Sequence, residues 1–488
     1  MKESLFMLGD MKPFRLAGNI YFVGTYKASS HLIDTGDGLI LIDTGYEETA
    51  DVIVESVGAL GFDIRDIKYI LHSHGHYDHT GGTPKILALT GAKTFLGEGD
   101  VKYITGWTPD HFYQDGQVIS LGSTNILCIA TPGHTEGTFS FFFDVVIDGK
   151  TYCAGMFGGA GTNQLKKNFL DKYKCSWLNR GLYFQSIDRL KQEHVDIFLG
   201  NHTWNNQTKE NYEKMLVSQA NPFIDHTKWI SFLEKCEANA EAVILQESRE
   251  SFVNYAHRGA STYAPENTFL AFYTGIYMGA NGIETDVKMT KDGILVLFHD
   301  STVTRLTGAE GSVSDYTLEE LKQFTFQKNG LTDKIVVFED FLKQFAFRDI
   351  TFAIEIKQAG IETEIADMLR KYHMERKTVV TSFMQNSIRV IKQYAPELHV
   401  GLLCKEVTED TVQFLKQIGA EEICPNAADV TPESVAMWHR EGFNVRAWGI
   451  KNEELMRQVY DSMADGMTVN FPDKLFAYIK EKLPEPEV

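Results

Sequence analysis

The sequence predicts two domains of different α/β architecture, of which the second is a (β/α)8 barrel. A chain of 488 residues is too long for one hydrophobic core. The first half mixes alternating strands with helices, whereas from Val253 onward a strand followed by a helix recurs along the remaining chain. That repeat is typical of a (β/α)8 barrel. The boundary is expected near Glu247–Phe252, which gives domains 1–247 and 252–488.

Short strands dominate the first half, and a GDG sequence at 36–38 predicts a hairpin turn between two of them. Helical apolar spacing predicts helices near Asp51–Leu60, Gln185–His194 and Lys228–Gln246. The strands are expected at Asn19–Tyr26, His31–Asp34, Leu39–Asp43, Ile67–Leu71 and Val195–Leu199, with a strand-rich stretch over Val118–Ile147.

Eight apolar strand-like runs follow in the second half, and helical patterns such as Glu266–Met278 and Ile361–Tyr372 come after most of them. Their alternation is the basis for the barrel prediction. The runs are Val253–Ala256, Gly282–Val287, Phe352–Ile356, Val379–Thr381, Val400–Leu403, Glu421–Cys424, Asn444–Trp448 and Gly466–Asn470.

The composition limits the class of partner. The formal net charge of −19 would repel a polyanion, which argues against nucleic acid and favours small-molecule substrates. Six cysteines lie far apart and form no CxxC pair, so they are expected to be reduced core residues. No segment approaches the ~20 apolar residues of a membrane span, and the amino-terminal stretch has no continuous apolar region. We therefore expect a cytoplasmic protein, and the sequence does not fix its oligomeric state.

A dense group of potential metal ligands follows the strand Ile67–Leu71, in the sequence HSHGHYDHTGG at 72–82. Two later histidines each come just after a strand-like run. Zinc accepts imidazole nitrogen and carboxylate oxygen, and two zincs held side by side can activate water at neutral pH. So dense a cluster predicts a dizinc site.

This half resembles the metallo-β-lactamase superfamily over about residues 15–245, through the HxHxDH signature and IDTG at 42–45. The resemblance implies an αββα fold and an outer carboxylate at Asp43. His72 and His226 fall outside the pattern and are interpreted as ordinary polar residues. By the resemblance His74, His76 and His134 would hold one zinc, Asp78, His79 and His202 would hold the other, and Asp78 would also orient the attacking hydroxide.

Within the superfamily the stretches GFDIRDIKYILHSHGHYDHTGG and TPGHTEGTFSF are most similar to the third subclass of zinc β-lactamases. Many members carry a metal-bridging aspartate in a Gly-Asp pair, but the corresponding stretch here is YCAGMFGG, with Met156 at that place. The third subclass also lacks the bridge. We therefore expect attack on carbonyl carbon in preference to phosphorus.

The second half holds a different set of polar residues. Glu284 and Asp286 are alternate residues of one predicted strand, and Glu355 and Lys357 repeat this spacing on another. Three inward carboxylates suit a hard cation such as Mg²⁺ or Ca²⁺. Arg258 and Lys357 would hold a phosphate, and His257 and His299 would act as the acid/base pair that cleaves a P–O bond.

These motifs resemble the glycerophosphodiester phosphodiesterase family over about residues 252–480. The matching sequences are HRG-x5-PENT, ETDV, TKDG, HD and EIK, with SF at 382–383, Trp448 and TVNFPD at 468–473 in addition. The last departs from the more usual threonine-aspartate form. The resemblance implies metal binding by the three carboxylates, catalysis by the two histidines, and phosphate binding by Arg258 and Lys357.

The sequence thus predicts a bifunctional hydrolase. The barrel would cleave glycerophosphodiesters to glycerol 3-phosphate and an alcohol, and the dizinc domain would hydrolyse an amide, lactam, lactone or ester. Two alternatives stay open. The first domain could be a zinc-binding regulatory module without activity, or both domains could act in turn on one N-acylated phosphodiester.

Overall fold

The structure is a computed structural model that describes residues 11–482. The chain forms two compact units that divide between Val243 and Ile244, within the long helix Thr227–Glu250. Among the described residues no helix is both long enough and apolar enough to cross a membrane.

The first unit contains two β-sheets. The first has the order β1-β2-β3-β4-β5-β6-β7 and the second β12-β11-β10-β9-β8. The strands are β1 Phe14–Ala17, β2 Ile20–Phe22, β3 His31–Asp34, β4 Leu39–Ile42, β5 Ile67–Leu71, β6 Lys93–Leu96, β7 His111–Phe112, β8 Gln117–Leu121, β9 Thr124–Ala130, β10 Phe139–Ile147, β11 Lys150–Met156 and β12 Ile197–Leu199.

The two sheets pack face to face because their apolar residues alternate between two cores. In β4, Ile40 and Ile42 join the core shared with the second sheet, whereas Leu39 and Leu41 pack under the outer helices. On the far side of the second sheet, Trp229 of the helix Thr227–Glu250 packs its ring on Phe142. This arrangement confirms the αββα prediction.

The predicted strand Asn19–Tyr26 is shorter in the structure. It ends at Phe22, because the chain then reverses in a tight turn closed by hydrogen bonds from Val23 N to Ser30 O and from Thr25 N to Ala28 O. The sequence VGTYKASS has the apolar content of a strand but no partner strand beyond Phe22. The turn places Tyr26 and Lys27 beside the site described below.

The second unit is a closed parallel barrel. Strands β13, β14, β18, β19, β20, β21, β22 and β23 form the ring, and pairing of β13 with β14 closes it, which confirms the barrel prediction. The strands are β13 Val253–His257, β14 Gly282–Met289, β15 Leu295–Leu297, β16 Phe326–Lys328, β17 Leu331–Asp333, β18 Thr351–Ile356, β19 Thr378–Ser382, β20 His399–Leu403, β21 Glu422–Cys424, β22 Asn444–Ala447 and β23 Gly466–Val469.

Helices connect the strands of both units. The α-helices are Ala50–Ala59, Tyr77–Thr80, Thr83–Thr90, Lys167–Tyr173, Asn179–Leu190, Thr208–Val217, Thr227–Glu250, Phe269–Tyr277, Thr304–Thr307, Leu318–Leu321, Phe338–Phe345, Glu362–Lys371, Gln385–Tyr394, Glu409–Ile418, Pro432–Arg440, Glu453–Asp461 and Pro472–Lys482. Short 3-10 turns lie at Glu47–Thr49, Ile64–Asp66, Glu98–Tyr103, Asn163–Leu165, Val313–Asp315, Glu375–Lys377 and Ala427–Asp429.

A cluster of phenylalanines fixes the helix Phe338–Phe345 on the barrel. Phe341 is fully buried and packs on the rings of Phe272, Phe345 and Phe352. Phe352 lies on β18, which also carries Glu355, so this packing holds the strand that delivers a site residue.

We expect Phe341→Ala to destabilise the barrel by about 3–5 kcal/mol, because the change removes a buried ring and leaves a cavity. Phe347→Ala is the matched control, since Phe347 is 97% exposed and its removal should change little. Urea denaturation followed by near-ultraviolet circular dichroism measures both. Equal stability of the two variants would contradict the packing.

Candidate metal centres

Loops that follow strands of both sheets place the histidines of the first unit. His74 and His76 come after β5 and precede the short helix Tyr77–Thr80, which carries Asp78 and His79. His134 follows β9, and His202 follows β12. The structure brings all six predicted ligands into one region of the first unit, in two overlapping groups.

Three ring nitrogens converge in the first group. His74 Nε2 lies 3.1 Å from His76 Nδ1, and His134 Nε2 lies 3.2 Å from the first and 3.1 Å from the second. A tetrahedral zinc with bonds of about 2.0–2.1 Å would separate its ligand atoms by roughly 3.3 Å. The triangle is therefore of the size that a zinc ion requires.

The other ring nitrogens show that the contact between His74 and His134 is not a hydrogen bond. His74 Nδ1 donates to Gly158 O at 2.8 Å, and His134 Nδ1 donates to Gly161 O at 2.8 Å. Because a carbonyl oxygen only accepts, both Nδ1 atoms carry the proton and both Nε2 atoms present lone pairs. Two lone pairs 3.2 Å apart have no bond to make with each other, but a cation between them would satisfy both.

The second group is built around Asp78. Its Oδ2 lies 3.4 Å from His79 Nε2 and 3.7 Å from His202 Nε2. His202 Nδ1 donates to Lys27 O at 2.6 Å, which again leaves Nε2 as the free nitrogen. His79 Nε2 is buried and has no hydrogen-bond partner. This orphaned atom beside a carboxylate fits a second cation.

Asp43 supports both the loop and a ligand. Its side chain is 1% exposed and accepts from Ser73 N and Ser73 Oγ at 2.7 Å and from His79 Nδ1 at 2.8 Å. A carboxylate that orients a ligand histidine through its distal nitrogen is a recurring feature of metal sites. The outer role predicted for Asp43 agrees with these contacts.

The electrostatics keep the first group neutral. Burial, followed by the neighbouring imidazoles, holds the pKa of His74 well below its ordinary value. Burial likewise lowers the pKa of His76 to about 4 and that of His134 to about 3. Neutral imidazoles keep their lone pairs for a metal. Burial also lowers the pKa of His79, but Asp43 and Asp78 outweigh it and raise that pKa to about 10.

His72 and Met156 lie apart from these groups. His72 is buried between Phe95 O and Thr83 Oγ1, at 2.9 and 2.8 Å, so both of its nitrogens are engaged. Met156 is fully buried in the core between the sheets and does not line the adjoining cavity. A carboxylate at 156 would enter an apolar core, so Met156→Asp is not a route to a bridging ligand.

The register of three neighbouring strands assembles the barrel site. His257 of β13 pairs with Glu284 of β14, and Asp286 of β14 pairs with Glu355 of β18. Oxygens of Glu284, Asp286 and Glu355 lie within 4.8 Å of one another, and all three residues are buried. Barrel active sites form at this carboxyl end of the strands.

The three carboxylates repel one another strongly. Burial, followed by Asp286 and Glu355, raises the pKa of Glu284 well above its ordinary value, and burial raises that of Glu355 to about 7. Burial would also raise the pKa of Asp286, but Arg258 and Lys357 outweigh it. Asp286 Oδ1 is buried without a hydrogen-bond partner. An oxygen-rich site with an orphaned carboxylate oxygen fits a hard divalent cation.

Two positively charged side chains contact this cluster of three carboxylates. Lys357 Nζ is 2.7 Å from Glu355 Oε1 and 3.6 Å from Asp286 Oδ1. Arg258 Nε is 3.3 Å from Asp286 Oδ2. Both side chains also line a cavity of about 460 Å³ together with His257, His299 and the aromatic residues Phe383 and Trp448. The predicted phosphate-binding and acid/base residues thus share one cavity.

The hydrogen bonds of the two histidines fix their orientation. His257 Nδ1 donates to Asn470 Oδ1 at 2.5 Å, and His299 Nδ1 donates to Asp300 Oδ1 at 2.7 Å. Each Nε2 is left for the substrate, and that of His257 lies 3.8 Å from Glu284 Oε2. Burial lowers the pKa of His257 to about 4 and also lowers that of His299. Both rings can therefore accept a proton at neutral pH.

A chain of ion pairs joins these groups, and the sequence did not predict it. Arg305 donates through Nε to Asp300 Oδ2 at 2.5 Å and through both terminal nitrogens to Glu266. Glu266 in turn accepts from Arg258 Nη1 at 2.9 Å. Arg305 therefore links Asp300, which orients His299, to Glu266, which contacts Arg258. Glu266, Asp300 and Asn470 lie in the PENT, HD and TVNFPD sequences, so a motif marked each of them, whereas Arg305 lies in none of these motifs.

Comparison with known proteins agrees with this division. Residues 257–474 match the glycerophosphoryl diester phosphodiesterase family, and residues 23–146 match the metallo-beta-lactamase superfamily. A glycerophosphodiester phosphodiesterase of Caldanaerobacter subterraneus subsp. tengcongensis is 32% identical over 235 residues, which are 46% of this chain and 97% of that protein. One from Bacillus altitudinis is 32% identical over 45% of this chain and 95% of that protein.

Among solved structures, the native FEZ-1 metallo-beta-lactamase from Legionella gormanii is similar over 49% of this chain and 98% of that chain, with 32% identity and a TM-score of 0.46. Both matched families are hydrolases. The chain is therefore a hydrolase that belongs to the glycerophosphoryl diester phosphodiesterase family and has a domain of metallo-β-lactamase fold ahead of its barrel.

Proposed function

We propose that the chain is a bifunctional hydrolase whose domains, 1–247 and 252–488, each carry an independent metal centre. The barrel would cleave glycerophosphodiesters to glycerol 3-phosphate and an alcohol. The first domain would hydrolyse an amide, lactam, lactone or ester. The observation that carries the proposal is that two complete ligand sets of different chemistry lie within separate units.

In the barrel, Glu284, Asp286 and Glu355 would hold Mg²⁺ or Ca²⁺, which when bound offsets the charge of the phosphate and of the three carboxylates. Arg258 and Lys357 would bind the phosphate oxygens from the wall of the cavity. His257 and His299 would move the protons, since each presents a free Nε2 to the cavity. The neutral ring would accept a proton from the attacking oxygen, and the other would have to be protonated at Nε2 when the phosphodiester is bound, so that it donates that proton to the leaving alcohol.

We expect His299→Asn to lower the rate of glycerol phosphate release from glycerophosphocholine by about 10²–10⁴-fold, the usual contribution of acid/base catalysis. The asparagine amide can still donate to Asp300, so the supporting contact survives while Nε2 is lost. His373→Asn is the matched control, because His373 is exposed and lies outside the cavity.

A His299→Asn protein that retains the wild-type rate would overturn the assignment of His299. Chelation should also abolish the activity, and Mg²⁺ or Ca²⁺ should restore it better than Zn²⁺.

In the first domain, His74, His76 and His134 would hold one zinc, and Asp78, His79 and His202 the other, so that two zincs when bound supply an activated water and a Lewis acid. Asp78 contributes the carboxylate of the set and would orient the attacking water. Among the described residues the cavity beside the two ligand groups is lined by no carboxylate other than Asp78, and this low negative charge favours attack on carbonyl carbon.

We expect the zinc-loaded full chain to hydrolyse at least one member of a panel of lactams, lactones, thioesters and N-acyl amides faster than bis(p-nitrophenyl) phosphate. The barrel is first disabled by His299→Asn so that any phosphodiester turnover reports on the first domain alone. Asp78→Asn should remove this activity.

Preferential turnover of the phosphodiester would contradict carbonyl specificity. Zinc binding with no turnover on any substrate would instead favour a regulatory module, although the intact set of six ligand residues argues against that alternative.

A further inference from the structure

We propose that Lys27 and Lys235 form an anion-binding subsite in the cavity of the first domain, and that the substrate of this domain carries a carboxylate or a phosphate group. This inference rests on the proposed hydrolytic function and adds a substrate class to it. The cavity measures about 650 Å³ and is lined by both lysines together with ligand candidates of the two metal groups.

Lys27 is held beside the metal groups by its backbone. Its carbonyl oxygen accepts from His202 Nδ1 at 2.6 Å, and the preceding carbonyl of Tyr26 accepts from Thr203 Oγ1 at 2.5 Å. These two contacts fix the turn against the loop that carries a metal ligand candidate. The side chain of Lys27 is exposed and lines the cavity.

Lys235 enters the cavity from the helix Thr227–Glu250, on a face without acidic residues. Its helical neighbours at three and four residues are Ser231, Phe232, Ala238 and Asn239, none of which is charged. Glu237 lies two residues away, on another face, and accepts from Lys191 Nζ at 2.6 Å.

Neither lysine forms an ion pair with any residue in the range 11–482, although acidic residues outnumber lysine and arginine by 66 to 47. Among residues 11–482 Asp78 is the one carboxylate that lines the cavity, and it belongs to the second metal group. Two ammonium groups against the single carboxylate of Asp78 give the described lining of this cavity an excess of positive charge within an acidic chain. Such a cavity selects anions.

Aromatic residues in the rest of the cavity wall indicate the shape and polarity of the remainder of the substrate. Trp204 stacks on His202 with ring centroids 4.4 Å apart and an interplanar angle of 6°, and its side chain is 54% exposed. Tyr26, Tyr46 and Phe232 line the same cavity. An apolar or flat body would pack on these rings while its anionic group meets the lysines and its carbonyl group faces the metals.

The test measures binding to the zinc-loaded full chain by isothermal titration. The probes are phenyl phosphate, benzoate and neutral benzamide. We expect Lys27→Met and Lys235→Met each to weaken binding of the anions about 2- to 5-fold, as for exposed ion pairs, and the double variant to weaken it about tenfold. Methionine keeps the apolar stem, so benzamide affinity should not change.

Lys150→Met is the matched control, since Lys150 is exposed in the β10–β11 hairpin and does not line the cavity. The loss of anion affinity should shrink in 0.5 M salt because the contacts are screened. A larger effect on phenyl phosphate than on benzoate would assign the subsite to phosphate, and the reverse to carboxylate.

Unchanged binding of both anions to the double variant would overturn the subsite, whatever the enzyme hydrolyses. Conversely, a tenfold loss of anion affinity in a protein that cleaves no carbonyl substrate would sustain the subsite and reject the proposed chemistry. The two failures are therefore separable.

Discussion

Both candidate metal centres depend on one constraint: the fold holds electron-rich nitrogen or oxygen atoms close to one another, and a bound cation would offset their repulsion. In the first unit the imidazole nitrogens of His74, His76 and His134 converge to 3.1–3.2 Å. In the second, three buried carboxylates lie within 4.8 Å. A fold that tolerates such unfavourable contacts does so for function, since burial of unpaired polar groups costs stability. The nitrogen-rich and oxygen-rich sets then direct the two centres to different metals.

In both centres the residue that directly follows a strand has a left-handed backbone conformation, which turns the chain. Asp43 directly follows β4 and Arg258 directly follows β13, and both have left-handed backbone angles, with φ of 58° and 54°. This conformation is unfavourable for residues other than glycine and concentrates at functional sites. At Asp43 it accompanies hydrogen bonds to Ser73 and His79, and at Arg258 to Glu284. The hydrogen bonds offset the strain and fix the ligands.

The sequence predicted whatever is local and periodic. The spacing of His74, His76, Asp78 and His79 and the alternation of Glu284 with Asp286 placed ligand candidates together without knowledge of the fold. The sequence could not predict contacts between distant segments. Arg305 joins Asp300 to Glu266 across 39 residues, and Asn470 meets His257 across 213. The sequence also could not show where the side chain at position 156 lies. In the structure Met156 is buried in the core between the two sheets.

Metal content tests the claim of two independent centres most directly. The full chain, His76→Ala and Asp286→Asn are each equilibrated with Zn²⁺ and with Mn²⁺, an oxygen-accepting substitute for Mg²⁺ or Ca²⁺, and analysed by plasma mass spectrometry. We expect His76→Ala to lose zinc and keep the metal of the barrel, and Asp286→Asn to keep zinc and lose the metal of the barrel. Loss of both metals from either folded variant would contradict it.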